Sequence, residues 1–188
     1  MRDAGPRYVP ALGRPALTRF YDTVLALTMR ERLWRPLLRD RIAQHVGNCG
    51  RIVDVGAGTG TLAIALATLR PDAQVIAVDG DPEVLRLARR KPGAERVSWR
   101  RGLAGGLDLE DGSAEAIVMS LLLHHLDPGF KRRALLDARR VLADGARLHV
   151  AGLGQAARSR DARRVLDRAA QRRHRRHTRP RRRPPPRV

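Results

Sequence analysis

Residues 51–60 read R-I-V-D-V-G-A-G-T-G. Ile52, Val53 and Val55 are β-branched and lie between Gly50 and Gly56, which predicts a short buried strand. Gly56, Gly58 and Gly60 follow, and then an apolar run from Leu62 to Leu69 with helical character. Strand, glycine turn and helix form an arrangement in which backbone can approach a ligand closely, because glycine has no Cβ and tolerates positive φ. Asp54 falls near the carboxyl end of that strand, at the mouth of the turn. An acid there is costly unless it meets a donor.

The glycine spacing separates two cofactor classes. The dinucleotide fingerprint G-x-G-x-x-G places its third glycine where helix and strand pack closely. Here Thr59, Gly60 and Thr61 follow Gly58, so the third glycine is off by one. A carboxylate two residues before the first glycine also repels a pyrophosphate and attracts a cationic, amine-bearing ligand. Both features disfavour an NAD-dependent oxidoreductase. The stretch resembles motif I of the class I S-adenosylmethionine (SAM)-dependent methyltransferases, h-h-D-h-G-x-G-x-G.

A second acid strengthens the resemblance. Gln74–Val78 predicts a second strand ending in Asp79, 23 residues after Gly56. An acid at that tip can accept both hydroxyls of a ribose, as in nucleotide-binding folds, or it can simply open the turn that follows. The resemblance assigns Asp79 the ribose contact with Gly80 beside it. It also passes Gly56, Ala57, Gly58 and Gly60 under the cofactor and sets Asp54 near the methionine end. Asp81 and Pro82 signal the start of a helix running to about Arg90.

Further along, the match is looser. Arg96–Trp99 predicts a third strand, after which family members carry an acid, in a G-D-A-like triplet, that accepts from the adenine amino group. This chain reads Gly102-Leu103-Ala104. Leu103 leaves three expectations: apolar and backbone contact with adenine, substitution by Asp108, or weaker binding, the lost bond being worth about 0.5–1.5 kcal/mol. Asp111, Gly112 and Ser113 match the acidic turn before a fourth strand, whose core is Ile117–Met119 and whose carboxyl end is Ser120 and Leu121. In open α/β sheets, ligands bind outside such ends. His124 and His125 then invite a base or metal reading. Adjacent side chains point apart and no H-E-x-x-H spacing occurs, so no metal site is expected. Either histidine can serve as a general base or line the pocket.

A helix over 128–142, a turn at Asp144-Gly145 and a fifth strand over 147–151 complete the pattern. It implies an α/β, doubly wound, Rossmann-like parallel sheet of order 3-2-1-4-5. Two leading helices are expected, over 15–29 and about 31–46, the latter with Leu33, Trp34, Leu37, Leu38, Ile42 and Val46 on one side and its start limited by Pro36. In the resembled family such helices cover the cofactor, which would lay Tyr21 over SAM; the alternative is that Phe20 and Tyr21 anchor the helix in the core.

At 188 residues the chain holds one ordinary α/β domain and little more. The expected division is an irregular start over 1–14, a core over 15–155 and a disordered tail over 156–188. The net charge of +19 is mostly a property of the tail, where 14 Arg and two Asp lie between Ala156 and Val188. Such a composition cannot bury a core. Three readings of it stand: a nucleic-acid arm, a solvated or anion-binding extension, or an ending replaced by a shifted reading frame, consistent with 36 Arg against two Lys. The sixth and seventh strands of the resembled fold have no counterpart, so an exposed sheet edge open to dimerisation is expected. No apolar run reaches about 18 residues, and no secretory signal opens the chain; a cytoplasmic protein is expected. One cysteine, Cys49, excludes an internal disulfide and is expected to be half-buried.

The resemblance covers about residues 15–152 and is nearest the small-molecule group typified by the ubiquinone and menaquinone biosynthesis methyltransferases. It implies SAM as cofactor and a small-molecule acceptor. The competing expectation is a degenerate, non-catalytic relative whose basic tail binds nucleic acid.

Overall fold

The computed structural model describes residues 31–152. The chain divides into two units between Gly152 and Leu153, and the described residues all belong to the first. The expected helix over 15–29, Tyr21 and the Arg-rich segment lie outside the described residues.

Five strands form one parallel sheet: β1 (Arg51–Val55), β2 (Gln74–Asp79), β3 (Val97–Arg101), β4 (Ala114–Ser120) and β5 (Leu142–Ala151). Their order is β3-β2-β1-β4-β5, as the sequence predicts. The helices are α1 (Glu31–Ala43), α2 (Thr61–Leu69), α3 (Pro82–Ala88) and α4 (Pro128–Val141), with 3₁₀ turns at Ala94–Arg96 and Leu123–His125.

The strands are apolar on both faces because both are covered. Val53, Val55, Ile76, Val78, Ile117 and Met119 pack with Phe130, Ala134, Ala138 and Val141 of α4. On the opposite face Ile52, Val75, Ala77, Ala116 and Val118 pack with Ile42 after the middle of α1 and with Leu62, Ala63, Leu66 and Ala67 of α2. Side chains alternate along a strand, so Asp54 points to this second face, between Ala77 of β2 and Val118 of β4.

Helix starts follow their local chemistry. Asp81 accepts from Glu83 N at 2.9 Å and Val84 N at 3.4 Å, with Pro82 in the first turn. Asp127 does the same for α4, accepting from Phe130 N at 2.9 Å ahead of Pro128. At the amino end of the sheet, Arg70 donates to the carbonyls of Ala43, Val46 and Gly47 at 2.7, 2.5 and 2.8 Å, capping the exit of α1. Among the described residues β5 has no strand on its outer edge, and no described helix is long and apolar enough to cross a membrane.

Several sequence expectations are corrected. Pro36 lies inside α1 instead of limiting its start, since proline removes only one backbone bond and the packing of Ile42 holds the helix to the sheet. Leu38, Ile42 and Val46 form the inward strip at a spacing of four, whereas Trp34 is only half-buried and Leu33 and Leu37 are 65% and 72% exposed. The helix ends at Ala43, three residues early. Cys49 is exposed, at φ 60° in the turn before β1. Asp144-Gly145 is no free turn: Leu142 already pairs with Ala114, and residues 143–146 bulge before Arg147 pairs with Ala116.

Candidate functional site

The strand order reverses between β1 and β4, and a sheet of this kind opens a crevice outside the carboxyl ends on either side of that point. The turn after β1 lies there. Gly56, Gly58 and Gly60 have φ of 71°, 56° and 73°, the left-handed region that side chains other than glycine enter at a cost. Gly56 N and Ala57 N both donate to Val78 O, at 2.8 and 3.1 Å, so the end of β2 fixes the turn. The turn's outer glycines are packing positions. A Cβ on Gly56 would stand 2.8 Å from Leu122 Cδ1, and one on Gly60 only 2.1 Å from the Trp99 ring. Gly58 is different: among the described residues, a Cβ there would meet nothing within 4 Å. Among the described residues the backbone at Gly58 is left uncovered at the mouth of the crevice.

Asp79 closes the turn from the side. Its Oδ2 accepts from Gly58 N at 2.8 Å and its Oδ1 from Asp81 N at 2.9 Å. Burial raises its pKa, and these backbone donors pull it back. Each oxygen retains a lone pair for a further donor. Gly80 is half-buried beside it.

Asp54 is fully buried, and neither carboxyl oxygen has a hydrogen-bond partner among the described residues. Desolvation pushes its pKa up to about 7; Arg35 of α1 acts in the opposite direction and Asp79 adds to the rise. A buried, unpartnered acid is expensive, and its natural complement is a cation that arrives with a ligand.

Ser120 is half-buried at the end of β4. The next residue, Leu121, has φ 53°, a conformation costing about 1–2 kcal/mol for a residue with a Cβ and typical of functional sites. Leu103 is 36% exposed in the turn after β3. Asp108 is exposed in a segment held against α4, with Arg140 donating to Leu107 O at 2.9 Å and to Leu109 O at 2.7 Å. His124 and His125 occupy the 3₁₀ turn after β4. Their rings do not point apart; the centroids are 4.0 Å from each other at 41°, because a tight turn lacks the alternation of a strand. His124 Nδ1 is buried without a partner, and burial first, then His125 and Lys131, lowers the ring's pKa. No group of three or more metal-ligating side chains occurs among the described residues.

Three residues near the turn escaped the sequence reading. Arg35 of α1 acts on Asp54 through its charge, lowering the acid's pKa. Lys91 Nζ donates to Thr59 Oγ1 at 2.8 Å and Thr61 Oγ1 at 3.0 Å, tying the glycine turn to the loop after α3. Trp99 donates from Nε1 to Ala94 O at 2.9 Å, which lays its ring against Gly60. None has a local sequence signal.

The profile of a family described as a methyltransferase domain matches residues 52–145, half of the chain and the whole of this construction from β1 to the start of β5. The chain belongs to the class I SAM-dependent methyltransferases. It is similar to the demethylmenaquinone methyltransferases of Clavibacter sepedonicus (34% identical, over 63% of this chain and 46% of that one) and Deinococcus radiodurans (35%, over 68% and 52%). A SAM-dependent methyltransferase from Aquifex aeolicus has the same fold at TM-score 0.63 and 20% identity, over 78% of this chain and 76% of that one. The chain spans about half the length of the curated relatives it matches.

The residues of this chain fit the family's cofactor. SAM carries an ammonium at its methionine end, and Asp54 is a buried carboxyl without a partner. It carries a ribose diol, and Asp79 holds two oriented oxygens at the crevice. Its chain needs uncluttered backbone to pass, and Gly58 offers it.

Proposed function

We propose that this chain transfers the methyl group of SAM to a small-molecule acceptor. The observation that carries the reading is the pairing of a fully buried Asp54, the last residue but one of β1, with the open backbone at Gly58, three residues past the strand's end. Asp54 takes the ammonium, Gly56, Ala57, Gly58 and Gly60 line the methionine end, and Asp79 with Gly80 takes the ribose. Leu103 offers adenine an apolar contact in place of the usual acceptor.

When bound, SAM supplies a methyl group on a sulfonium, which makes that carbon electrophilic and gives a neutral thioether on departure. The protein's part is then mostly positioning. Ser120 and the strained Leu121 set the wall between cofactor and acceptor. His124, whose pKa is lowered by burial and then by His125 and Lys131, offers Nδ1 as the acceptor of the substrate's proton. Two relatives named demethylmenaquinone methyltransferases favour a ring-bearing acceptor of quinol type, and the row of Leu121, Leu122 and Leu123 beside the crevice suits an apolar ring.

Calorimetric titration with SAM, with NAD as control, tests the reading. Micromolar SAM binding is expected, with no heat from NAD and an affinity roughly 10–100-fold weaker in Asp79→Ala, which loses charge-assisted bonds. A folded protein that gives no heat with SAM refutes it.

A further inference from the structure

We propose that Asp54 makes this site select ligands bearing an ammonium group, by giving up its own proton when the ligand's positive charge arrives. The inference rests on the cofactor reading above and adds to it a protonation change and a specificity.

The geometry leaves Asp54 few choices in the ligand-free protein. It belongs to a row running across the sheet, Trp99, Ala77, Asp54, Val118, His149, on the face covered by α1 and α2. Its immediate neighbours in that row are apolar. Helix α2, T-L-A-I-A-L-A-T-L, brings no ionisable side chain to it. Helix α1 brings Arg35, which favours the carboxylate, and the end of β2 brings Asp79, which disfavours it. His149 stands two strands away, about 10 Å by the spacing of strands, and its own burial, with His45, Arg147 and Arg41 nearby, favours the neutral ring. With no donor to either oxygen, a charge at Asp54 would be buried and unsolvated, and the neutral acid is the state that avoids this.

An arriving ammonium reverses that preference. The Asp54 O–H bond breaks, its proton passes to bulk buffer, and the ammonium N–H donates to the carboxylate so formed. A ligand of the same shape without the ammonium cannot drive the exchange and leaves Asp54 neutral. Discrimination between the two therefore grows with pH until Asp54 would ionise without help. That point lies near 7.

The test uses the full chain, S-adenosylhomocysteine and its deamino analogue, which keeps the adenosine and the carboxylate. Titrations at pH 6, 7 and 8 in two buffers of different ionisation enthalpy count the protons released. The expected result for S-adenosylhomocysteine is about half a proton released at pH 7 and an affinity rising roughly tenfold from pH 6 to pH 8. The deamino analogue is expected to bind with no release and no pH dependence. In Asp54→Asn the affinity for S-adenosylhomocysteine becomes flat with pH and its advantage over the analogue shrinks. S-adenosylhomocysteine binding without proton release in the wild type overturns the inference while leaving the cofactor reading intact. Failure of both nucleosides to bind removes the cofactor reading, and the inference with it. Should Asp54→Asn not fold, the wild-type proton count decides alone.

Discussion

Replacing Asp54 by Asn is expected to make the ligand-free protein more stable above neutral pH, although it removes a residue of the site. The magnitude follows from burial. In the unfolded chain the carboxyl ionises near 3.8, and in the folded protein near 7. A folded pKa above the unfolded one contributes stability that is fully present below pH 3.8 and is lost as pH rises through 7. Each unit of difference corresponds to about 1.36 kcal/mol, so the loss reaches about 4 kcal/mol by pH 8. Asn cannot ionise and is spared it.

The assay is urea unfolding of both proteins at pH 4, 5, 6, 7 and 8 without ligand. At pH 4 both side chains are neutral, and the two should differ by no more than the packing change, about 1 kcal/mol. From there the difference should open in favour of Asn and level off above pH 7. His124 and His149 titrate in both proteins, so their contributions largely cancel, and the coupling of Asp54 to Asp79 is part of the difference measured. Parallel stability curves from pH 4 to 8 would refute the reasoning, since they would mean that Asp54 is solvated or paired in the folded state.

Gly58→Ala and Gly60→Ala should separate ligand contact from packing. Both positions have positive φ, costing about 1 kcal/mol with a Cβ, but only the second also drives a methyl into the Trp99 ring. Gly60→Ala should lower the thermal midpoint well beyond Gly58→Ala, while Gly58→Ala should lose at least about tenfold in SAM affinity, measured by calorimetry, because its methyl enters the ligand's path. Leu103→Asp should raise SAM affinity by up to about tenfold if adenine lies against that turn, the gain of one hydrogen bond; unchanged affinity would place adenine elsewhere. Arg140→Met removes bonds to Asp137, Asp111, Leu107 O and Leu109 O. It should cost about 1–3 kcal/mol in urea unfolding with SAM affinity unaltered, as those carbonyls lose their donor far from the crevice.

What the sequence made legible was local or periodic. The β-branched run before Gly56 predicted β1, the apolar stretches over 74–78 and 117–119 predicted β2 and β4, and Asp81-Pro82 predicted the start of α3 to within a residue. Because these are consecutive strands with short helical crossovers, right-handed connection leaves few orders, and 3-2-1-4-5 is the one observed. The two acids were legible by their positions at strand ends. What failed depends on the third dimension. Leu33 and Leu37 look like core in the sequence, yet only a strip at a spacing of four meets the sheet. Pro36 stops an isolated helix, and packing carries α1 through it. Lys91 and Trp99 reach the glycine turn from other elements, and Arg35 acts on Asp54 from α1, so no spacing announces them. The bulge over 143–146 answers to the pairing of β5 with β4, and Asp144-Gly145 alone reads as an ordinary turn.

Among the described residues the two ends of the sheet differ in how their polar and strained groups are relieved, although the amino end also keeps Cys49 at a positive φ. At the amino end the loose backbone is tied down: Arg70 satisfies three carbonyls at the exit of α1, and Glu115 accepts from Gly47 N at 2.7 Å. At the carboxyl end the debts are left open. Asp54 is buried without a donor, His124 Nδ1 is buried without a partner, Leu121 holds a positive φ, and Leu103 stands exposed. A fold optimised for stability alone would have filled these positions with apolar or glycine residues, each a single substitution away from relief. Their concentration around one crevice means that the energy withheld there is available to a ligand that supplies a cation for Asp54 and covers the turn, and the stability gained on binding should exceed what contact area alone provides.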